Sequence, residues 1–234
     1  MNHFIIKEKD NTETKYVRDH NGVIKQLYPV PYVYDKTYVA TYDNLQYEQR
    51  SLALQRLRLG FVEAMYDGPI TSLLDCGYGN GAFLKHVITS TEIELVYGSD
   101  VSHVPAPPGV TEVSAKEAIS LPLSVMTFWD CLEHFPDLSF VADINADMIA
   151  ISLPYCHFNS LHSPTEFITE KAITWFTNWH HRKPNEHLFH FDHNSLRRTM
   201  KMYGWKCIGL SNLEDAIRKP RDHRKNILTA AFKR

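Results

Sequence analysis

Three stretches carry side chains that could do chemistry, and each closes an apolar run. LLDCGYGNGAF (73–83) sets Asp75 directly before a turn with glycine at every second position, Gly77, Gly79 and Gly81. VYGSD ends in Asp100, and FWDCLEHFPD presents Asp130, Glu133 and His134. Glycines in such a turn permit positive φ and let a ligand approach bare backbone. The unpaired amides that open the following helix suit an anionic or carboxylate-bearing ligand. Asp75 would accept from an ammonium group and repel a pyrophosphate. Asp100 stands 100 − 75 = 25 positions further on and suits the two hydroxyls of a ribose. The turn alone also satisfies the dinucleotide pattern G-x-G-x-x-G/A at Gly77, Gly79 and Ala82, so its residues leave two cofactor classes open.

The elements that must position these groups follow from the apolar pattern. SLLDCG, ELVYGSD, VMTFWD and MIAISLPY, with WKCIGLS and ILTAAFKR as further candidates, are short apolar runs separated by helix-capable stretches. That is the pattern of an open α/β sheet with strands buried on both faces, in which ligands bind at the carboxyl ends of the strands. LALQRLRLGFVEAMY places Leu54, Leu57, Phe61 and Met65 on one face of an amphipathic helix ending near Gly68 and Pro69. Before it, Tyr34, Tyr38 and Tyr42 recur at i, i+4 and i+8, an aromatic stripe if the segment is helical. Residues 1–45 are read as a cap and 46–234 as the main domain, with an insertion of about 155–190 on the acceptor side.

Taken in order, D-x-G-x-G-x-G at Asp75 to Gly81, the acidic strand end at Asp100, D-x-L-E-H from Asp130 to His134, and NEHLFHFDHNSLRRTMKMYGWK with Glu186, His187, Phe191, Gly204 and Trp205 form a set. It resembles the class I S-adenosylmethionine-dependent methyltransferases, in the small-molecule branch that carries LEH followed by Pro136 and Asp137. The resemblance spans roughly residues 70 to 210. It implies a Rossmann-like, mostly parallel sheet of the seven-stranded type with helices on both faces, and S-adenosylmethionine as cofactor. Asp75, Cys76, Gly77, Tyr78, Gly79 and Gly81 would hold its methionine end, Asp100 its ribose with Val101 beside the adenine, and Asp130 and Leu132 would border the sulfonium. One departure stands out. After Asp100 the family usually has a full helix, whereas VSHVPAPPGVTEVSA is punctuated by Pro105, Pro107, Pro108 and Gly109. The family's frequent aspartate before the fourth strand is replaced near Ser124.

Transfer from a sulfonium needs a positioned acceptor and sometimes a base to take its proton. His134, oriented by Glu133, is the first candidate base and His187 the second. The run EHLFHFDH places His187, His190, Asp192 and His193 at spacings that do not suit a metal site, and no metal ligand is expected; Asp192 reads as a helix cap. Ser163, Pro164 and Glu166 form a capping box opening a helix with Phe167, Trp175, Phe176 and Trp179 on its apolar side. The expected acceptor is a small molecule, a sugar or another metabolite, methylated at oxygen or nitrogen. Rival readings are a dinucleotide-dependent oxidoreductase, which Asp75 disfavours, and a cofactor-binding partner subunit without catalysis.

Composition sets the outer bounds. The 234 residues are 44% hydrophobic and 22% charged with a net charge of −2, an ordinary globular balance with too little basic surface for nucleic acid. The basic residues that crowd at Arg218, Lys219, Arg221, Arg224 and Lys225 read as a solvated loop or, as the sharper alternative, as a contact to phosphate or another acidic group. No apolar run approaches the roughly 20 residues of a membrane helix. Cys76, Cys131, Cys156 and Cys207 form no C-x-x-C pair. A cytoplasmic setting is expected.

Overall fold

The computed structural model describes residues 1–40, 48–161, 168–219 and 224–234. Tyr42, the capping box from Ser163 to Glu166, Phe167 and Arg221 lie outside the described residues. In chain order the elements are β1 (Asn2–Lys7), β2 (Glu13–Arg18), β3 (Ile24–Leu27), α1 (Lys36–Ala40), α2 (Glu48–Met65), β4 (Ser72–Cys76), α3 (Ala82–Ser90), β5 (Leu95–Ser99), β6 (Thr111–Glu112) and α4 (Ala115–Ser120). There follow β7 (Leu123–Trp129), β8 (Ala146–Pro154), α5 (Glu170–Asn178), β9 (Phe189–His190), α6 (His193–Met202), β10 (Lys206–Ser211), α7 (Asp215–Arg218) and β11 (Ile227–Lys233).

Continuous apolar runs make strands with both faces covered, and the central sheet shows why. β4 is buried at every position and β7 likewise. Along β4, Leu73 packs with Phe61 and Val62 of α2 and Phe83, Leu84 and Val87 of α3, while Leu74 packs with Ala118 of α4 and Leu196 and Met200 of α6. Burying one such leucine is worth about 1.5–3 kcal/mol, so both helix layers hold the sheet. The strand order is β10-β11-β8-β7-β4-β5-β6. β5, β4, β7 and β8 pair in parallel, and β11 runs antiparallel to both β8 and β10. Each of the six apolar runs is a strand.

The chain leaves β4 outward to β5 and β6 and returns to β7 on the other side of β4. That reversal opens a crevice above the carboxyl ends of β4 and β7, where Asp75 and Asp130 sit. Between β5 and β6 no helix forms, as the prolines require; the loop instead lies back on the glycine turn.

At the N-terminus the structure adds a small sheet that the apolar pattern did not announce. β1, β2 and β3 form an antiparallel sheet that β9 completes, with Ile24 opposite His190 and Lys25 opposite Phe189. Alternation in β1 and β2 buries Phe4, Ile6 and Tyr16, which with Ile24 pack on Phe158, Phe176 and Trp179. The tyrosine stripe is corrected: Tyr34 precedes α1, so Tyr32, Tyr34 and Tyr38 meet as a cluster with ring centroids 5.0 to 5.8 Å apart. α5 begins at Glu170, where the Thr169 hydroxyl caps it by accepting from the Ala172 amide. α6 starts as expected, with Asp192 and Ser195 in a reciprocal capping box, and Gly204 follows its end at φ 86°.

Candidate active site

The floor of the crevice is the end of β4. Asp75 lies between Gly98 of β5 and Thr127 of β7, and its Oδ1 accepts from the Thr127 hydroxyl at 2.6 Å. Burial pushes its carboxyl up to about 7, against that hydrogen bond and the Arg58 charge. Asp75 is therefore poised between its protonated and ionised forms near neutral pH, and a cation beside it would favour the ionised one. Beyond it the glycines do different work. At Gly77, φ 74°, a Cβ would stand 2.3 Å from Cys131 Sγ, so this glycine serves packing. At Gly79, φ 57°, a Cβ would meet nothing within 4 Å among the described residues, and this glycine leaves room above the turn. Pro107 of the loop after Asp100 fills the space a Cβ would take at Gly81.

Asp100 holds the turn. Its Oδ2 accepts from the Gly79 amide at 2.8 Å and its Oδ1 from the Ser102 amide at 2.7 Å. Tyr78 is buried and donates its hydroxyl to the Val104 carbonyl at 2.5 Å, tying the turn to the proline loop; burial raises its phenol to about 12. Val101 is 66% exposed. Cys76 is buried and its Sγ neighbours Cys131, so it faces protein; Leu132 is 1% exposed and is core.

Asp130, at φ 52°, is engaged by two arginines that the sequence reading left aside. Arg58 of α2 donates to its Oδ2 at 2.7 Å, and Arg218 of α7 donates to both oxygens. Glu214, fully buried, pairs with Arg58 Nε at 3.0 Å and Arg218 Nε at 2.8 Å. Burial alone would raise the Asp130 carboxyl, but Arg218 and Arg58 hold it well below the usual carboxylate range. Arg218 is thus no solvated loop residue. The signal for Arg58 was legible in hindsight, because it stands at i+4 from Leu54 and i−3 from Phe61, a charge on an apolar helix face.

Beside this network, the turn 132–134 meets the segment before β9. The Leu188 amide donates to the Glu133 carbonyl at 2.8 Å, and the Gln26 amide donates to the Leu188 carbonyl at 2.9 Å. The small sheet thereby delivers His187, whose ring centroid is 4.7 Å from that of His134. The expected Glu133–His134 pairing does not form: the closest approach, Oε1 to Nε2, is 3.9 Å, beyond hydrogen bonding. Tyr34 orients His134 instead, with its hydroxyl 2.7 Å from Nδ1 and donating to the Glu186 carbonyl at 3.2 Å. Burial pushes the Glu133 carboxyl well up, with the Asp130 charge adding to it. Burial likewise lowers both imidazoles, His187 more strongly, so both are neutral at pH 7. His190 and His193 do not join them: His190 packs on Phe176 and Trp179, and His193 Nδ1 meets the Tyr155 hydroxyl at 2.7 Å.

The sheet order, the reversal at β4 and the glycine turn define the Rossmann-like fold of the S-adenosylmethionine-dependent methyltransferases. The chain belongs to the methyltransferase domain family, whose profile matches residues 45–210. Among solved structures it is similar to a chain from the complex of the Haloferax volcanii Trm112 methyltransferase activator with a methyltransferase, at 11% identity and a TM-score of 0.54, covering 86% of this chain and 99% of that one. It is similar also to an S-adenosylmethionine-dependent methyltransferase from Mesorhizobium loti, at 14% identity and a TM-score of 0.52, covering 75% and 96%. A third is the plantazolicin methyltransferase BpumL with a desmethyl substrate analog and SAH, at 13% identity and a TM-score of 0.52, covering 83% and 88%. No protein of curated function matches the chain in sequence. Among the described residues, no helix is long and apolar enough to cross a membrane.

Proposed function

We propose that this methyltransferase moves the methyl group of S-adenosylmethionine to an oxygen or nitrogen of a small-molecule acceptor, a sugar or another metabolite. The observation that carries the reading is a strand-end region with two unlike parts. On one side the open Gly79 turn lies by the Asp75 and Asp100 carboxyls; on the other are the neutral imidazoles of half-buried His134 and buried His187. The cofactor, when bound, supplies an already activated methyl group. Asp75 would accept from its ammonium, the amides beyond Gly79 would face its carboxylate, and Asp100 has lone pairs left for ribose hydroxyls. Asp130, held ionised by Arg58 and Arg218, would place a fixed negative charge near the sulfonium. His134 Nε2 would take the acceptor's proton in the tautomer protonated at Nδ1, in which Tyr34 accepts from that nitrogen, donates onward to Glu186 and leaves the Nε2 lone pair free. Tyr32, Tyr34 and Tyr38 would form the acceptor's aromatic wall, with residues 1–45 acting as the cap.

The test is calorimetric titration of the full chain with S-adenosylhomocysteine and with NADH, followed by an acceptor screen. Micromolar binding of the first alone is expected, with an affinity cut tenfold or more in Gly79→Ala beside the stability cost of its backbone strain. Binding of NADH alone would overturn the cofactor reading, and cofactor binding without methyl transfer to any acceptor would leave the partner-subunit reading standing.

A further inference from the structure

The two histidines of that reading also form a ligand set with Glu133. One oxygen of Glu133 and one nitrogen each of His134 and His187 all lie within 4.8 Å of one another. Glu133 is 1% exposed, yet neither of its carboxylate oxygens has a hydrogen-bond partner among the described residues, and the same holds for Nδ1 of buried His187. Three buried polar atoms without partners, on two side chains of one such cluster, are costly unless something completes them. Water could satisfy one or two. The arrangement around them favours a cation.

His134 is set up as a ligand by its own partner. The Tyr34 hydroxyl meets Nδ1 at 2.7 Å and lies 3.2 Å from the Glu186 carbonyl, so in the tautomer protonated at Nδ1 it accepts from that nitrogen, donates to the carbonyl, and leaves the Nε2 lone pair for a ligand. A ligating histidine is ordinarily fixed in this way, through the ring nitrogen that does not touch the metal. The cation nearest to hand, Lys183, is drawn 2.7 Å onto Glu186 Oε1, and the charges of Arg58 and Arg218 are taken up by Asp130 and Glu214. These cations act on Glu133 only through space, and none of them hydrogen-bonds its carboxylate among the described residues. Two imidazoles and one carboxylate suit a borderline transition ion, whereas magnesium and calcium prefer oxygen ligands. Three protein ligands leave coordination positions open, as in sites that also take a substrate atom.

We infer that Glu133, His134 and His187 form a binding site for one divalent transition cation of the zinc or manganese kind, with Tyr34 orienting His134. The expectation of no metal came from the run EHLFHFDH, of which only His187 reaches this point; the other two ligands come from the turn after β7. Cation binding stands by itself. Only the further step, that the open positions take the acceptor's oxygen or nitrogen in place of a histidine base, rests on the methyl-transfer reading.

The full chain, stripped with a chelator, would be titrated calorimetrically with Zn²⁺ and with Mn²⁺, and in parallel with S-adenosylhomocysteine. One ion per chain is expected for at least one metal. Glu133→Gln, which keeps the shape and removes the charge, should weaken that ion at least tenfold with S-adenosylhomocysteine affinity and melting temperature held. Tyr34→Phe should weaken it by a similar factor through loss of the orienting contact. Ion binding left unchanged by Glu133→Gln would overturn the site, and so would no binding of either ion by protein that binds S-adenosylhomocysteine. Tight ion binding without S-adenosylhomocysteine binding would instead keep the site and sink the cofactor reading.

Discussion

Asp75 carries the clearest titration consequence. Its carboxyl titrates near 3.8 when exposed and is pushed to about 7 in the fold, so between those values the folded chain holds a proton that the unfolded chain has lost. Its contribution to stability is complete below about pH 4 and is lost as pH rises through 7, a change of at most a few kcal/mol. Urea unfolding at pH 5 and pH 8 should show the wild type losing stability across this range and Asp75→Asn losing much less. An equal decline in both proteins would contradict the assignment. A ligand ammonium should also expel the proton, so S-adenosylhomocysteine binding near pH 6 should release close to one proton, read from calorimetry in buffers of differing ionisation heat. The glycines divide similarly. Gly77→Ala should destabilise strongly, because Cys131 cannot move aside without disturbing the core. Gly79→Ala should cost about 1–3 kcal/mol of backbone strain and chiefly lose ligand.

Among elements, the closed ring of Arg58, Asp130, Arg218 and Glu214 ties α2 and α7 to the end of β7. Removing one member leaves a buried charge uncompensated. Arg58→Met should therefore cost about 3–5 kcal/mol by chemical denaturation. Asp67→Ala, whose partner Lys233 it meets in open solvent, should leave the denaturation midpoint where it was. A small effect at Arg58 would mean that the ring is solvated. This ring also marks where reading the sequence runs out. β4, β5, β7 and β8 were legible because each is a short apolar run ended by an acidic residue or a turn, and local pattern is all that a central strand needs. β1, β2 and β3 are short and half polar, and their fourth strand is two residues long and far along the chain. The Tyr34–His134 contact and the two arginines pair across 72 to 100 positions, a spacing that no local rule reaches.

For the whole molecule, the two helix layers over the central sheet predict an order of opening. Amides of β7 and β8, paired on both sides and buried, should exchange slowest, and β6, two exposed residues at an edge, fastest. The small sheet should lie between, since one face packs on Phe158, Phe176 and Trp179 and the other carries exposed residues such as Ile5. Exchange in β1 and β2 as slow as in β7 would show the two sheets opening as one unit.

The pairing of β3 with β9 has a consequence for how the protein is made. A ribosome delivers residues in order at about 5–20 per second, so β1, β2 and β3 emerge first and can close their hairpins. Their sheet stays one strand short until His190 follows Ile24 out of the tunnel, 190 − 24 = 166 residues later. His187 rides on that last strand. A nascent chain can thus assemble the glycine turn once Asp100 is made, while the pairing of His187 with His134 waits 187 − 100 = 87 residues more. The apolar face of Phe4, Ile6 and Tyr16 is uncovered until Phe158 and Phe176 follow, and it is there that a slowed ribosome or a missing chaperone would first be felt.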